Sequence, residues 1–229
     1  MLFAEEKYRE AAERFRHSLQ SYVSHYNSKT GPKNLEAIGS SQIVSYVLMK
    51  SEQFDEAIKT LTMELDKAKE VYGSESIQAA ETMTNLATVH FYKNDFDKAE
   101  ECYKKALHMY QAMHQSVRTA HEKQPLRVIC TGLGDISYIR KDVESALQWY
   151  LEVERMFYES DSQADSIEYV PAMKNLAMIH WQQGSLQKAE QLFNFIMFVL
   201  KSDPKYGEDH PQTKVIAEYL KKLYIMEDP

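Results

Sequence analysis

The sequence predicts an all-α solenoid, a stack of about five antiparallel helix pairs closed by a C-terminal capping helix. Three observations predict it. A short phrase recurs five times at a near-constant period. Within each copy the apolar residues follow helical spacing. The chain of 229 residues holds only 7 Gly and 6 Pro, too little punctuation for the many turns of a β-rich fold.

The recurring phrase is a large apolar residue, two polar residues, then Ala. It reads Tyr8-Arg9-Glu10-Ala11, Phe54-Asp55-Glu56-Ala57, Phe96-Asp97-Lys98-Ala99, Val143-Glu144-Ser145-Ala146 and Leu186-Gln187-Lys188-Ala189. Four residues beyond each Ala stands Phe15, Leu61, Tyr103, Tyr150 or Phe193, and three further on Ser18, Glu64, Ala106, Val153 or Ile196. Steps of 3, 4 and 3 place these residues on one helix face, with Ala admitting a neighbour and the aromatic filling the gap one turn later. Glu64 is the departure from this small or apolar series.

A second helical pattern precedes four of the five. Val44, Leu86, Leu133 and Leu176 each lie ten residues before the apolar residue that opens the next helix. Met83-Thr84-Asn85-Leu86-Ala87 with His90 is matched by Met173-Lys174-Asn175-Leu176-Ala177 with His180. Polar turns at 50–53, 93–95, 140–142 and 182–185 join the members of each pair and favour antiparallel neighbours. The repeat spacing is 46, 42, 47 and 43 residues. The whole chain, 1–229, reads as one repeat domain with units at about 1–30, 35–71, 75–115, 125–160 and 166–201 and a capping helix at 210–226. The irregular parts are 111–127, a loop or extended helix, and 160–170.

Leu86-Ala87, His90, Phe96, Ala99, Tyr103 and Ala106 together resemble the tetratricopeptide repeat family, whose unit is a helix–turn–helix. The long period resembles the kinesin light chain type. So do the phrases between units, Tyr72-Gly73-Ser74-Glu75-Ser76 and Tyr206-Gly207-Glu208-Asp209-His210-Pro211-Gln212-Thr213. A further likeness, carried by Phe91 to Ala99 after Tyr72 to Glu75, is to repeat proteins of ciliary inner-arm dyneins. The resemblance implies a superhelical solenoid that binds a protein or peptide on its concave side, lined by the first helix of each pair.

The slots that the resemblance turns inward hold Gln42, Tyr46 and Met49 in unit two, and Thr84, Asn85, Thr88 and Tyr92 in unit three. Unit four offers Thr131, Asp135 and Tyr138, and unit five Lys174, Asn175, Met178 and Trp181. Asn85 and Asn175 are similar to the groove asparagines of the family. Repeats that grip a chaperone C-terminal carboxylate carry Lys or Arg in the unit after such an Asn. Here those slots hold Val128 and Gly132, then Val215 and Tyr219, so that partner is not expected.

The ends differ. Val215, Ala217, Leu220 and Tyr224 repeat the first-helix pattern with Lys214, Glu218, Lys221 and Lys222 outside, as a terminal cap requires. Only Met1-Leu2-Phe3 precedes the helix of Tyr8, so the expectation is that further chain or another subunit covers that end.

Chemistry is not expected. Gly132-Leu133-Gly134 lacks the Lys-Ser/Thr ending of a phosphate loop, and its glycines read as close helix contacts. Neither cysteine, Cys102 or Cys130, has a ligand-spaced neighbour, and both read as packing residues. No histidine pair has metal spacing, so neither enzyme activity nor a cofactor is implied. A net charge of −7 with only lysine doublets disfavours nucleic acid. With no apolar run near membrane length, membrane insertion is not expected. The leading expectation is a cytoplasmic scaffold or adaptor for a peptide or helix of a larger assembly. The alternatives are a peptide-responsive sensor and a structural subunit of a cytoskeletal or ciliary complex.

Overall fold

The computed structural model describes residues 46–113, 120–159 and 163–227, and all regular structure among them is helical. Helical residues 46–50 end a first helix. Then follow α1 (Phe54–Tyr72), α2 (Ile77–Tyr92), α3 (Phe96–Met113), α4 (Ala120–Ile139), α5 (Val143–Tyr158), a 3-10 segment (Gln163–Tyr169), α6 (Val170–Gln182), α7 (Leu186–Ser202) and α8 (Pro211–Glu227). The segment read as loop or extended helix contains the end of α3 and the start of α4, which runs through Pro125. The expected unit 1–30, Gln42 and the coverage of the N-terminal end lie outside the described residues. The chain divides into two compact units, 1–132 and 133–229, with the division falling inside α4.

Each hairpin turns in the same way. Glu52, Asn94, Lys141 and Gly184 occupy one slot, two residues before the second helix, and all have positive φ (59°, 64°, 64° and 75°). The next residue donates its backbone N–H to a carbonyl five residues back: Gln53 to Leu48, Asp95 to His90, Asp142 to Ser137 and Ser185 to His180, at 2.8–2.9 Å. The left-handed residue donates three back, as Asn94 does to Phe91 at 2.9 Å. This double closure is the Schellman motif, which satisfies the last carbonyls of one helix while reversing the chain. Asp142 adds a cap on the following helix, its Oδ1 accepting from Ser145 N.

In the first unit, Ala57, Leu61 and Leu65 of α1 pack with Ala80, Met83 and Leu86 of α2, and α2 packs in turn on Ala99, Tyr103 and Ala106 of α3. In the second, Ala146, Tyr150 and Val153 of α5 and Ala189, Phe193 and Ile196 of α7 fill the same roles around α6 and α8. The four seam alanines Ala57, Ala99, Ala146 and Ala189 are completely buried, as the sequence pattern requires. His90 and His180 are buried at matching positions, and burial holds both imidazoles below their ordinary pKa. In the linker before α8, Tyr206 packs on His210, whose Nδ1 accepts from Gln212 N at 3.2 Å and so caps the helix.

Candidate partner-binding surface

Three slots recur through the repeats and decide what the first helices can offer. One lies eight residues before the second helix and holds Tyr46, Thr88, Asp135 and Met178. The large side chain fifteen residues later is Leu61, Tyr103, Tyr150 or Phe193. The third slot, on the next first helix, holds Asn85, Gly132, Asn175 or Tyr219.

In the first unit, Tyr103 OH lies 3.1 Å from Thr88 Oγ1, which also donates to Thr84 O. Gly132 makes room for that ring: a Cβ there would stand 2.5 Å from Tyr103 Cε2 and Cζ. Asn85 and Thr131 are half-buried. Met49 and Thr84 are buried, and the Thr84 hydroxyl donates to Ala80 O at 2.9 Å, so both pack rather than reach outward. Tyr46 and Tyr92 do reach outward, at 55% and 51% exposure. Lys50, not singled out from sequence, serves both of them. Its Nζ lies 5.4 Å from the Tyr46 ring centre and 5.7 Å from that of Tyr92. The sequence did hold the signal, since Lys50 follows Tyr46 by four residues, one helical turn.

In the second unit the same slots form a polar triad. Tyr150 OH donates to Asp135 Oδ1 at 2.6 Å, and Asn175 Nδ2 donates to the same oxygen at 2.8 Å and to Tyr150 OH at 3.1 Å. Burial raises the Asp135 pKa, against the pull of its two donors and the Lys174 ammonium. Burial and the adjacent Asp135 carboxylate push the Tyr150 phenol far above its ordinary range. The amide nitrogen of Asn175 is therefore engaged within the layer. Gln182 Nε2 donates to Tyr138 OH at 3.1 Å. Met178 and Lys174 are half-buried. Trp181 stands edge-on to Phe193 and Tyr219 at 6.3 and 5.9 Å, joining α6, α7 and α8 in one aromatic cluster. Tyr150 and Tyr219 were legible as repeat slots but not as partners of the surface residues.

Among the described residues, no group of three or more His, Cys, Asp and Glu side chains is placed to hold a metal. No helix among them is long and apolar enough to cross a membrane.

Residues 41–112 match the tetratricopeptide repeat family model. That stretch carries tetratricopeptide repeats. In fold, its long repeats are similar to those of kinesin-light-chain-like proteins. BtubC (BKLC) from P. vanneervenii superposes with a TM-score of 0.65 at 21% identity, over 86% of this chain and 74% of that one. A kinesin-light-chain-like protein of Podosopora anserina with nearly identical TPR-like repeats superposes with a TM-score of 0.62 at 13% identity, over 82% of this chain and 84% of that one. No curated protein matches the chain in sequence. Tetratricopeptide arrays as a class are protein-interaction scaffolds, and the matched residues share that fold.

Proposed function

We propose that this tetratricopeptide chain is a scaffold that holds a peptide or helix of a larger assembly on the faces formed by its first helices. The observation that carries this reading is the Tyr46–Lys50–Tyr92 cluster. Two half-exposed aromatic rings on successive first helices flank one ammonium group. Rigid aromatics offer contact area at small entropic cost. A lysine between them favours a partner that brings a carboxylate together with an apolar side chain.

The neighbouring side chains suit an extended segment. Asn85 is half-buried and makes no side-chain hydrogen bond among the described residues, so its amide is available to a peptide backbone. In the second unit the first helices offer Trp181, Met178 and the hydrogen-bonded Tyr138–Gln182 pair.

The test is a photo-crosslinking residue placed at Tyr92 of the whole chain in its native cell extract, with adducts identified by mass spectrometry. A specific partner peptide is expected at Tyr92, and it is lost when Lys50→Glu is added. Adducts that survive Lys50→Glu unchanged, or that form equally from a control position at the exposed Tyr158, overturn the reading.

A further inference from the structure

Among the described residues, α8 carries a partly apolar surface that no second helix covers. Aligning the third slot places α8 on α2 and α6 with Tyr219 over Asn85 and Asn175. The seam row of α2 is then Ala80, Met83, Leu86, Ala87 and His90, and that of α6 is Val170, Met173, Leu176, Ala177 and His180, every one buried. A second helix of the hairpin packs on each of these first helices: α3 on α2 and α7 on α6. The same row on α8 reads Lys214, Ala217, Leu220, Lys221 and Tyr224, and only Leu220 is buried.

This row forms one wall of a groove of about 610 Å³, with Met197 and Lys201 of α7 opposite. A helix that served only as a polar cap would replace the whole row with charge. Here the floor stays apolar through Ala217, Leu220, Tyr224 and Ile225, and Ile225 is 65% exposed in it. Two charges interrupt the floor at the positions of Ala80 and Ala87. They are Lys214 and Lys221, seven residues and therefore two turns apart. Lys201 pairs with Glu208 at 2.8 Å and Lys214 with Asp209 at 3.1 Å, both at exposed sites where such pairs are weak and exchangeable. Lys221 has no ion pair among the described residues.

We propose that this groove docks one amphipathic helix of a partner protein, acidic along one flank. It lies where a hairpin's second helix lies on α2 and α6. Its large apolar side chains cover Leu220, Tyr224 and Ile225, and its carboxylates, two turns apart, meet Lys214 and Lys221. The lysines choose this occupant over a second copy of the chain, because two copies paired through α8 bring like charges together.

The test uses two fluorescent helical peptides with the same leucine stripe, one flanked by glutamates and one by lysines, titrated by anisotropy against the whole chain. The glutamate peptide is expected to bind at least about tenfold more tightly. The double variant Lys214→Glu/Lys221→Glu reverses that preference, and Ile225→Asp weakens both peptides. All three positions are exposed, so the variants keep the fold, and circular dichroism checks this. Equal affinity for the two peptides overturns the proposal, as does indifference to Ile225→Asp. Sedimentation showing a concentration-dependent dimer that Ile225→Asp abolishes also overturns it and assigns the groove to a second copy.

Discussion

Among the described residues, Glu64 in the first unit is a buried carboxyl group and Asp135 in the second a half-buried one, and the two are provided for differently. Asp135, in the second unit, has the Tyr150 hydroxyl and the Asn175 amide on one oxygen. Glu64, in the first, is 3% exposed, and neither of its oxygens has a hydrogen-bond partner among the described residues. Burial, with the Glu81 carboxylate adding to it, raises the Glu64 pKa to about 8. Asp135 stands on a first helix, where the side chain fifteen residues on is a tyrosine able to donate to it. Glu64 stands in the seam slot that holds the apolar Ala106, Val153 and Ile196 in the other repeats, and there neither of its oxygens is met by a donor. A repeat scaffold therefore tolerates a buried charge well at one of these slots and poorly at the other.

The largest expected effect comes from removing the ill-provided group. A carboxyl whose folded pKa exceeds its unfolded value stabilises the fold most when protonated. Its contribution is complete below about pH 4.5 and is lost as pH rises through about 8. Glu64→Met keeps the volume and deletes the charge. It should stabilise the chain by about 2–5 kcal/mol at pH 9 and by less than about 1 kcal/mol at pH 5. Urea melts at the two pH values decide this. A gain that does not grow with pH would show that Glu64 finds a partner in solution, and the contrast between the two carboxyls would fall.

The well-provided group gives a smaller effect, sharpened by a matched control. Tyr103 and Tyr150 share a slot, but the Tyr103 hydroxyl meets the neutral Thr88 and the Tyr150 hydroxyl meets a carboxylate. Tyr150→Phe leaves Asp135 with one donor fewer and should cost about 1–3 kcal/mol. Tyr103→Phe should cost about 1 kcal/mol or less, because Thr88 still donates to Thr84 O. Paired thermal melts at pH 7 measure the difference, and equal losses would mean that Asp135 adds nothing to the Tyr150 bond. Burial outweighs the Tyr150 and Asn175 donors and raises the Asp135 pKa, although both hydrogen bonds favour the ionised form. This carboxyl's contribution to stability is therefore complete below the ordinary carboxylate range and falls as pH climbs through it.

The sequence carried the scaffold further than the surface. Period, seam alanines and turn positions were all legible, because each is set by local helical spacing and the steric need for a small residue where helices cross. The Asp135–Tyr150–Asn175 triad was not. Its members come from three helices, and the spacings of 15 and 25 residues acquire meaning only once the hairpin geometry fixes which side chains meet. Lys50 was hidden for a related reason. Read as the start of a polar turn, it shows its place beneath Tyr46 and Tyr92 only when the helix is known to run to its own position. Met49 and Thr84 share the helices of the exposed tyrosines but rotate into the seam, a difference that one helical position is enough to make.

The smallest effect tests the one feature that both units build identically. Asn94 and Lys141 close equivalent turns at φ 64°, and Gly184 closes another at 75°. A side chain in this left-handed region costs about 1 kcal/mol, least for Asn and most for a residue such as Lys. Glycine removes that strain but adds freedom to the unfolded chain, and the two terms partly cancel. Lys141→Gly should therefore stabilise by up to about 1 kcal/mol, while Asn94→Gly should change little and Gly184→Lys should lose about 1 kcal/mol. The Lys141 side chain is exposed, so no lost packing obscures the comparison. If Lys141→Gly instead destabilises the chain, the turn is held by something other than its backbone closure. The near-identity of the four hairpins would then be a result of helix packing rather than its cause.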